Sequence, residues 1–275
     1  MTKIKDPFSL KNKKAVLTGA AGFFGVYFTE SLLQGGVSKL YVSDKNEVGL
    51  KNLQKKMEKK YGKGRIIAEV LDQYDIELSK KYFEKIAKMK IDILINNAFD
   101  FTDNTGFYDK EKGIVYKTTY EHLKKTFDAA LYWPFQATQI FGNFAKKSKK
   151  KLSVINIGSM YSFVAPNPLL YEGTGYFNPP GYSMMKAGLL NQTRYMSAWY
   201  APYVRVNALC PGAIPNYHKS QNKDTVFTER LTERTLLKRL GHPNDLTGTL
   251  VFLASNASDY ITGQTVIIDG GWIIT

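Results

Sequence analysis

Short apolar runs rich in β-branched residues alternate with longer amphipathic stretches along the chain. That alternation is typical of βαβ units, in which helices connect parallel strands. The apolar runs predict strands at Lys14–Thr18, Lys39–Ser43, Arg65–Val70, Ile91–Ile95, Leu152–Ile157, Val204–Leu209 and Thr265–Ile268. The amphipathic stretches predict helices at Phe24–Leu33, Glu47–Lys60, Ile76–Met89, Tyr120–Lys146, Tyr182–Tyr200 and Asn244–Ala254. The sequence therefore predicts an α/β fold, a Rossmann-type doubly wound parallel sheet of about seven strands with helices on both faces.

Three segments are too long to be plain connections, and each follows the carboxyl end of a predicted strand. They are Phe99–Thr119, Met160–Gly181 and Gly212–Leu240. Ligands of open α/β sheets bind outside the carboxyl ends of the strands, so we expect these segments to shape a site. No Gly/Ser-rich linker or internal repeat divides the sequence, and 275 residues suit a single domain that spans 1–275.

The 38 basic and 24 acidic residues give a formal charge of +14, which raises the question of nucleic-acid binding. Only six of the basic residues are arginines, and the lysines are spread from Lys3 to Lys238. The densest run, Lys146–Lys151, falls between a predicted helix and a predicted strand, where a solvated corner is expected. We therefore expect a small-molecule substrate and no nucleic-acid partner.

No apolar run approaches the roughly 18 residues that a membrane span needs, and the opening residues lack the apolar core of a signal peptide. We therefore expect a cytoplasmic protein with no membrane partner. Cys210 is the single cysteine, and His122, His218 and His242 are scattered, so no metal site is expected. We interpret Cys210 as a small buried filler and His242, which precedes Pro243, as the start of a helix.

A glycine-rich segment lies between the first predicted strand and the first predicted helix. It reads Thr18-Gly19-Ala20-Ala21-Gly22-Phe23-Phe24-Gly25. Glycine there permits positive φ and lets backbone N–H groups approach a pyrophosphate at the helix amino end. After the second strand, the Asp44 carboxylate can accept hydrogen bonds from adenosine ribose hydroxyls and repel a 2′-phosphate. We predict a nicotinamide dinucleotide cofactor, NAD favoured over NADP, although the adjacent Lys45 would offset part of that repulsion.

The spacing Tyr-x-x-x-Lys puts both side chains on one helix face, but it occurs four times and so needs context. The pairs are Tyr41/Lys45, Tyr108/Lys112, Tyr120/Lys124 and Tyr182/Lys186. Only Tyr182 opens an amphipathic helix that comes next after the predicted strand Leu152–Ile157, which Gly158 and Ser159 follow. A phenol with a pKa near 10 is too weak a base at neutral pH unless a cation such as Lys186 stabilises the phenolate.

These residues, together with others, resemble the short-chain dehydrogenase/reductase family over nearly the whole chain. The matching motifs are Thr18-Gly19…Gly25, Asp72, Asn96-Asn97-Ala98, Ser159, Tyr182-x-x-x-Lys186, Arg205-Val206-Asn207-Ala208…Pro211-Gly212 and Tyr260-Ile261-Thr262-Gly263-Gln264…Asp269-Gly270-Gly271. The resemblance implies that Tyr182 is the general acid/base, that Lys186 lowers its pKa and binds the nicotinamide ribose, and that Ser159 hydrogen-bonds the substrate oxygen. The cofactor-binding residues that it implies are Thr18, Gly19, Ala21, Gly22, Phe24, Gly25, Asp44, Asp72, Gln73, Asn97, Ala98, Tyr182, Lys186, Pro211, Gly212 and Ile214.

The sequence departs from the family pattern in three places. Its glycine spacing, Thr-Gly-x-x-Gly-x-x-Gly, resembles the larger branch that handles sugar nucleotides, whereas its length matches the single-domain branch. Ala130 stands where the family usually has an asparagine that anchors a water-mediated proton path from the lysine. The segment between Ser159 and Tyr182 is longer than usual and rich in proline.

The resemblance implies an NAD(P)-dependent oxidoreductase that interconverts an alcohol and a ketone. The glycine spacing and the polar insertion favour a sugar, sugar phosphate or nucleotide-sugar of bacterial surface-glycan synthesis, with Tyr171, Glu172 and Thr174 as candidate substrate contacts. A 3-oxoacyl-carrier-protein reductase is the alternative, small alcohols, steroids and secondary metabolites stay open, and an inactive dinucleotide-binding scaffold is the alternative of another class. We also expect a homodimer or homotetramer formed through the predicted helices Tyr120–Lys146 and Tyr182–Tyr200, as is usual in the family.

Overall fold

The computed structural model describes residues 6–107, 114–216 and 225–275, which form a seven-stranded sheet with all strand pairs parallel. The strand order is β3-β2-β1-β4-β5-β6-β7. The strands are β1 (Lys14–Thr18), β2 (Lys39–Asp44), β3 (Ile66–Val70), β4 (Ile93–Asn96), β5 (Leu152–Ile157), β6 (Val204–Pro211) and β7 (Thr265–Ile268). The prediction of a Rossmann-type α/β fold is confirmed, and the observed strand ends lie within two residues of the predicted ones.

Helices cover both faces of this sheet because successive strand residues point to opposite sides. The helices are α1 (Phe23–Gln34), α2 (Glu47–Tyr61), α3 (Ile76–Ala87), α4 (Tyr120–Phe127), α5 (Trp133–Ser148), α6 (Pro168–Tyr171), α7 (Pro180–Tyr200), α8 (Thr225–Arg234) and α9 (Asn244–Ala254). On β1, Ala15 and Leu17 join the apolar core under α1, α2 and α9. Val16, between them, joins the core under α3, α5 and α7. The near-continuous apolar strands thus supply two cores.

The predicted helix Tyr120–Lys146 is confirmed as one continuous helical run, but its centre is a π-helical segment, Asp128–Tyr132, between α4 and α5. Two features of the chain open the hydrogen-bond ladder there. Pro134 has no N–H to donate to the preceding turn. In the amide orientation that satisfies both of its groups, Gln192 of α7 donates to the Leu131 carbonyl and accepts from the Phe135 N–H, each at 3.2 Å. A side chain inserted between these two groups keeps the ladder open.

The described parts of the three long segments follow strands at the carboxyl edge of the sheet, and two of them contain helices that the periodicity did not predict. The segment after β5 includes α6, and the segment after β6 includes α8. These two helices pack together through Leu170 and Leu231, with Trp272 beneath them. The order of strands reverses between β1 and β4, which opens a crevice at this edge of the sheet. Among the described helices, none is both long and apolar enough to cross a membrane.

Candidate active site

The glycine-rich loop is held in shape by the residues that follow β4. Thr18 Oγ1 accepts hydrogen bonds from the backbone N–H groups of Asn97 and Ala98, both at 3.1 Å. The Asn97 side-chain amide donates to the carbonyls of Thr18 at 3.0 Å and Gly19 at 2.9 Å. Gly19 has a φ of +67°, and a Cβ there would lie 2.8 Å from the Ala98 Cα, so only glycine fits.

This loop suits an anionic ligand because it leads into the amino end of α1, where backbone N–H groups lack helical partners. Gly22 is the residue before the helix and presents no side chain over those groups. A Cβ on Gly25 would lie 2.2 Å from the Gly19 carbonyl oxygen, so glycine there lets the helix start close to the loop. Phe24 packs against Phe28 in the core. The residues present therefore fit a dinucleotide pyrophosphate.

Asp44 lies beside this loop with its carboxylate fixed on both oxygens. One oxygen accepts from the Ala21 N–H at 2.9 Å and the other from the Asn46 N–H at 2.9 Å. Backbone donors orient the carboxylate without neutralising its charge, so further lone pairs are left for ribose hydroxyls. Asp72 and the buried Gln73 follow the neighbouring strand β3 at the same edge of the sheet.

Three further predicted cofactor residues, Pro211, Gly212 and Ile214, lie at the end of β6 or just after it. The Gly212 N–H donates to the Ile268 carbonyl at 2.9 Å, and a Cβ on Gly212 would lie 2.4 Å from the Asp269 Cα. Pro211 ends the strand, and Ile214 packs on the core. The structure thus brings the glycine loop, Asp44 and the β4 loop into direct contact, and it places the Pro211–Ile214 segment farther along the same edge.

Ser159, Tyr182 and Lys186 converge where β5 meets the first turns of α7. Ser159 follows β5, is 6% exposed, and its Oγ accepts from the Tyr161 N–H at 3.1 Å. Lys186 is 5% exposed, and its Nζ donates to the Ile157 carbonyl at 2.7 Å. The same Nζ lies 5.8 Å from the centre of the Tyr182 ring. Of the other described tyrosines with this spacing to a lysine, Tyr41 is buried in the core and Tyr120 is exposed; Tyr108 and Lys112 lie outside the described residues.

Three phenylalanines from the segment after β4 cover the Tyr182 ring. We call Phe99, Phe101 and Phe107 the aromatic cap. Their ring centres lie 5.2, 6.0 and 5.4 Å from that of Tyr182, and the Lys186 Nζ lies 5.1 Å from the centre of Phe99. Sequence reasoning missed these residues, although three phenylalanines within nine positions directly after Asn96-Asn97-Ala98 were a visible signal.

Burial controls the ionisation of the reacting groups. It raises the pKa of Tyr182 to about 12, although hydrogen bonding with Ser159 acts in the opposite direction. Burial also lowers the pKa of Lys186 to about 8. In this arrangement the pKa of Tyr182 therefore lies above its ordinary value because of burial, whereas the resemblance implies that Lys186 lowers it. Burial raises the pKa of the Cys210 thiol to about 11, in keeping with a buried filler.

The three predicted substrate residues have different environments within the insertion that follows Ser159. Tyr171 packs in the same apolar cluster as Tyr182, and its hydroxyl lies 2.6 Å from that of Tyr161. Thr174 is buried, and its hydroxyl donates to the Tyr171 carbonyl at 2.9 Å. The Glu172 side chain is exposed, while its carbonyl accepts from Arg230 of α8 at 2.6 Å. Of these three residues, Tyr171 is the one whose side chain packs in the cluster that contains Tyr182.

Other side chains singled out by sequence take structural positions. His242 Nδ1 accepts from the Asn244 N–H at 3.2 Å at the start of α9, which confirms its interpretation as a helix start. His122 caps α4, and Ala130 is buried in the π-helical segment. Within the described ranges no three His, Cys, Asp or Glu side chains form a metal cluster, and His218 lies outside those ranges.

The chain is similar to known oxidoreductases over nearly its whole length. A family model described as enoyl-(acyl carrier protein) reductase matches residues 25–273. A 2-dehydro-3-deoxy-D-gluconate 5-dehydrogenase of Bacillus subtilis is 31% identical, covering 99% of this chain and 99% of its own length. The post-translational flagellin modification protein A of Campylobacter coli is 30% identical, covering 96% and 99%. A 3-oxoacyl-carrier-protein reductase of Thermotoga maritima is 29% identical, covering 96% and 99%.

Solved structures similar to this chain contain both forms of the cofactor. A protein of Beutenbergia cavernae, proposed to be an NAD(P)-dependent gluconate 5-dehydrogenase and holding NADP at low occupancy, is 25% identical with a TM-score of 0.84, covering 98% of this chain and 100% of its own. A short-chain dehydrogenase of Leptospira borgpetersenii with bound NAD+ is 27% identical with a TM-score of 0.82, covering 99% and 97%. The protein is therefore a member of the short-chain dehydrogenase/reductase family and an NAD(P)-dependent oxidoreductase.

Proposed function

We propose that the protein interconverts an alcohol and a ketone on a sugar derivative, with NAD favoured over NADP and Tyr182 as the general acid/base. The observation that carries this proposal is the convergence of Ser159, Tyr182 and Lys186 at the carboxyl edge of the sheet, beside the loop that fits a pyrophosphate. A scaffold without activity would not need a buried lysine next to a partly buried phenol.

The residues divide the chemistry between them. When bound, a nicotinamide dinucleotide supplies the hydride acceptor for alcohol oxidation and the hydride donor for ketone reduction. Tyr182 Oη takes the hydroxyl proton as the hydride leaves the adjoining carbon, and it returns that proton to the oxygen in the reverse direction. Ser159 donates a hydrogen bond to the same oxygen while its charge changes. In either direction, the transfer of one hydride is matched by the transfer of one proton between the substrate oxygen and Tyr182.

The phenol must become a better base than it is under the aromatic cap. The pKa of Tyr182 is raised to about 12 by burial, so phenolate is scarce near neutral pH. Movement of Phe101, which is 48% exposed, would admit polar groups and lower that pKa. Movement of the Lys186 ammonium from the Ile157 carbonyl toward the phenol would act in the same direction. Substrate entry and activation of the base are therefore linked in this proposal.

The surroundings of Tyr182 favour a sugar over an acyl chain. Tyr161 and Tyr171, whose hydroxyls lie 2.6 Å apart, pack in the same cluster as Tyr182, and the rings of Phe99 and Phe107 also contact Tyr182. Hydroxyl groups recognise sugar hydroxyls and ring faces pack on the C–H faces of a sugar, whereas an acyl chain calls for a uniformly apolar groove. Relatives named for a deoxy-gluconate derivative and for flagellin modification support the same class. The relative named as a 3-oxoacyl-carrier-protein reductase keeps that activity as the second candidate.

A substrate panel tests the class. Purified protein is assayed with NAD(H) and NADP(H) on sugar acids, 2-dehydro-3-deoxy-D-gluconate among them, on nucleotide-sugars, and on an acetoacetyl thioester. We expect kcat/KM for at least one sugar to exceed that for the thioester by tenfold or more. The reverse order would contradict the sugar class and favour the acyl reductase. NADH binding without turnover of any compound in the panel would favour the scaffold.

We also propose that the protein is a homodimer or homotetramer. Trp133, Leu189 and Leu190 are buried within the chain, but Tyr195 and Trp199 of α7 are 58% and 62% exposed and lie with ring centres 5.8 Å apart. An exposed aromatic pair on a long helix suits contact with a second copy. Light scattering at micromolar concentration should give at least twice the chain mass of 31.1 kDa, and Tyr195→Glu with Trp199→Glu should give a monomer. A monomeric wild-type protein would refute this.

A further inference from the structure

An ion pair connects the cofactor side of the crevice to the segment that carries the aromatic cap. Lys45 directly follows Asp44, and its Nζ donates to Asp100 Oδ1 at 3.1 Å. The Lys45 side chain is 45% exposed, whereas that of Asp100 is 1% exposed. Asp100 stands between Phe99 and Phe101. The carboxylate is therefore buried at the point where the β4 segment turns, and it draws the lysine toward that segment.

The Asp100 carboxylate is a well-satisfied acceptor. Its second oxygen accepts from the Tyr74 hydroxyl at 3.0 Å and from the Asn104 amide at 3.1 Å. Burial alone would raise the pKa of Asp100, but the hydrogen bonds from Asn104 and Lys45 outweigh it and lower the pKa below its usual value. The carboxyl is consequently ionised at neutral pH. The Thr105 hydroxyl also donates to the Asp100 carbonyl at 2.6 Å, which fixes the backbone.

The position of Lys45 connects the Lys45–Asp100 ion pair to the choice between NAD and NADP. The ribose that carries a 2′-phosphate in NADP would lie against Asp44, so the next residue along the chain is placed to reach that phosphate. A lysine there would form a charge-assisted hydrogen bond to the phosphate and offset the repulsion from Asp44. To do so in this structure, Lys45 would have to leave a buried carboxylate without its cation, which is costly.

We propose that Asp100 is a specificity residue for the cofactor: it retains the Lys45 ammonium and so withholds the cation that a 2′-phosphate would need. The inference rests on the proposed preference for NAD and adds a second cause of that preference. Asp44 repels the phosphate directly, whereas Asp100 acts through Lys45. The effects of Asp44 and Asp100 can be tested separately because removing the Asp100 carboxylate leaves the Asp44 carboxylate and its backbone donors in place.

Fluorescence titration of purified protein with NADH and NADPH tests the proposal without turnover. Asp100→Asn should tighten NADPH binding about tenfold while NADH binding stays within about twofold. The same substitution in a Lys45→Gln background should change neither dissociation constant. Asp103→Asn removes an equal charge from an exposed position three residues along the segment and is the matched control, with no change in the ratio expected.

Lys45→Gln alone gives an independent reading if Asp100→Asn does not fold. Because Lys45 is already engaged, its loss should leave NADPH affinity within about twofold of wild type. A five- to tenfold loss would show that Lys45 already serves the phosphate and would overturn the inference, as would equal changes for both cofactors in Asp100→Asn. Tighter binding of NADPH than NADH by the wild type would instead contradict the proposed NAD preference and leave the effect of Asp100 to be read from the change in ratio.

Discussion

The cofactor side and the substrate side of the crevice are built by different kinds of contact. Around the glycine loop, side chains of Thr18, Asp44 and Asn97 hydrogen-bond to backbone groups at 2.9 to 3.1 Å. Around Tyr182, ring contacts with Phe99 and Phe107 dominate, at 5.2 to 5.4 Å between centres. Directional bonds to the backbone fix one geometry, whereas ring packing tolerates several, so the cofactor side is rigid and the substrate side is adaptable.

The largest effect should come from a substitution that distorts the glycine loop on the cofactor side. Gly19→Ala places a methyl group 2.8 Å from the Ala98 Cα at a φ of +67°, so the loop must shift. NADH affinity, measured by fluorescence titration, should fall about tenfold or more. Gly248→Ala is the matched control because a Cβ there meets nothing within 4 Å, and it should bind NADH as wild type does. Equal affinities in the two variants would contradict the rigid account of the loop.

A second effect concerns stability at the substrate side. Burial lowers the pKa of Lys186 from 10.5 to about 8, so folding disfavours its ammonium form. The free energy of unfolding is therefore reduced by the full amount below pH 8, and the reduction becomes smaller as the pH rises toward 10.5. Lys186→Met should therefore raise the thermal midpoint by a few degrees at pH 7, and the gain should shrink by pH 10. Calorimetry at both pH values checks this, with exposed Lys124→Met as the control. A lower midpoint at pH 7 would contradict the burial cost.

The smallest effect should come from the insertion. Tyr171→Phe removes the hydroxyl that faces Tyr161 and should raise the substrate KM a few-fold, the value of one hydrogen bond, without changing NADH affinity. Glu172→Ala should do less because that side chain is exposed. Steady-state kinetics with the substrate found in the panel distinguishes them. A larger increase in KM for Glu172→Ala than for Tyr171→Phe would contradict this expectation and would indicate that the substrate contacts the exposed face of the insertion.

The same contrast explains how far the sequence led. The strands, the glycine loop and Asp44 were predictable because glycine, a strand-end carboxylate and β-branched runs act through the local backbone. The contact of the aromatic cap with Tyr182 and the Lys45–Asp100 pair were not, since each joins segments that lie far apart in sequence. The π-helical segment between α4 and α5 depends on Gln192 from α7, and no periodicity within Tyr120–Lys146 encodes that partner.

Turnover of Tyr182→Phe measures the central claim most directly. The substitution removes only the phenol oxygen and leaves the ring among Phe99, Phe101 and Phe107. With the substrate from the panel, kcat should fall by about 10² to 10⁴, as is typical of general acid/base catalysis, while NADH affinity stays within about twofold. Tyr195→Phe, an exposed tyrosine on the same helix, should keep wild-type kcat. A kcat of Tyr182→Phe within a few-fold of wild type would contradict the assignment of Tyr182 as the acid/base.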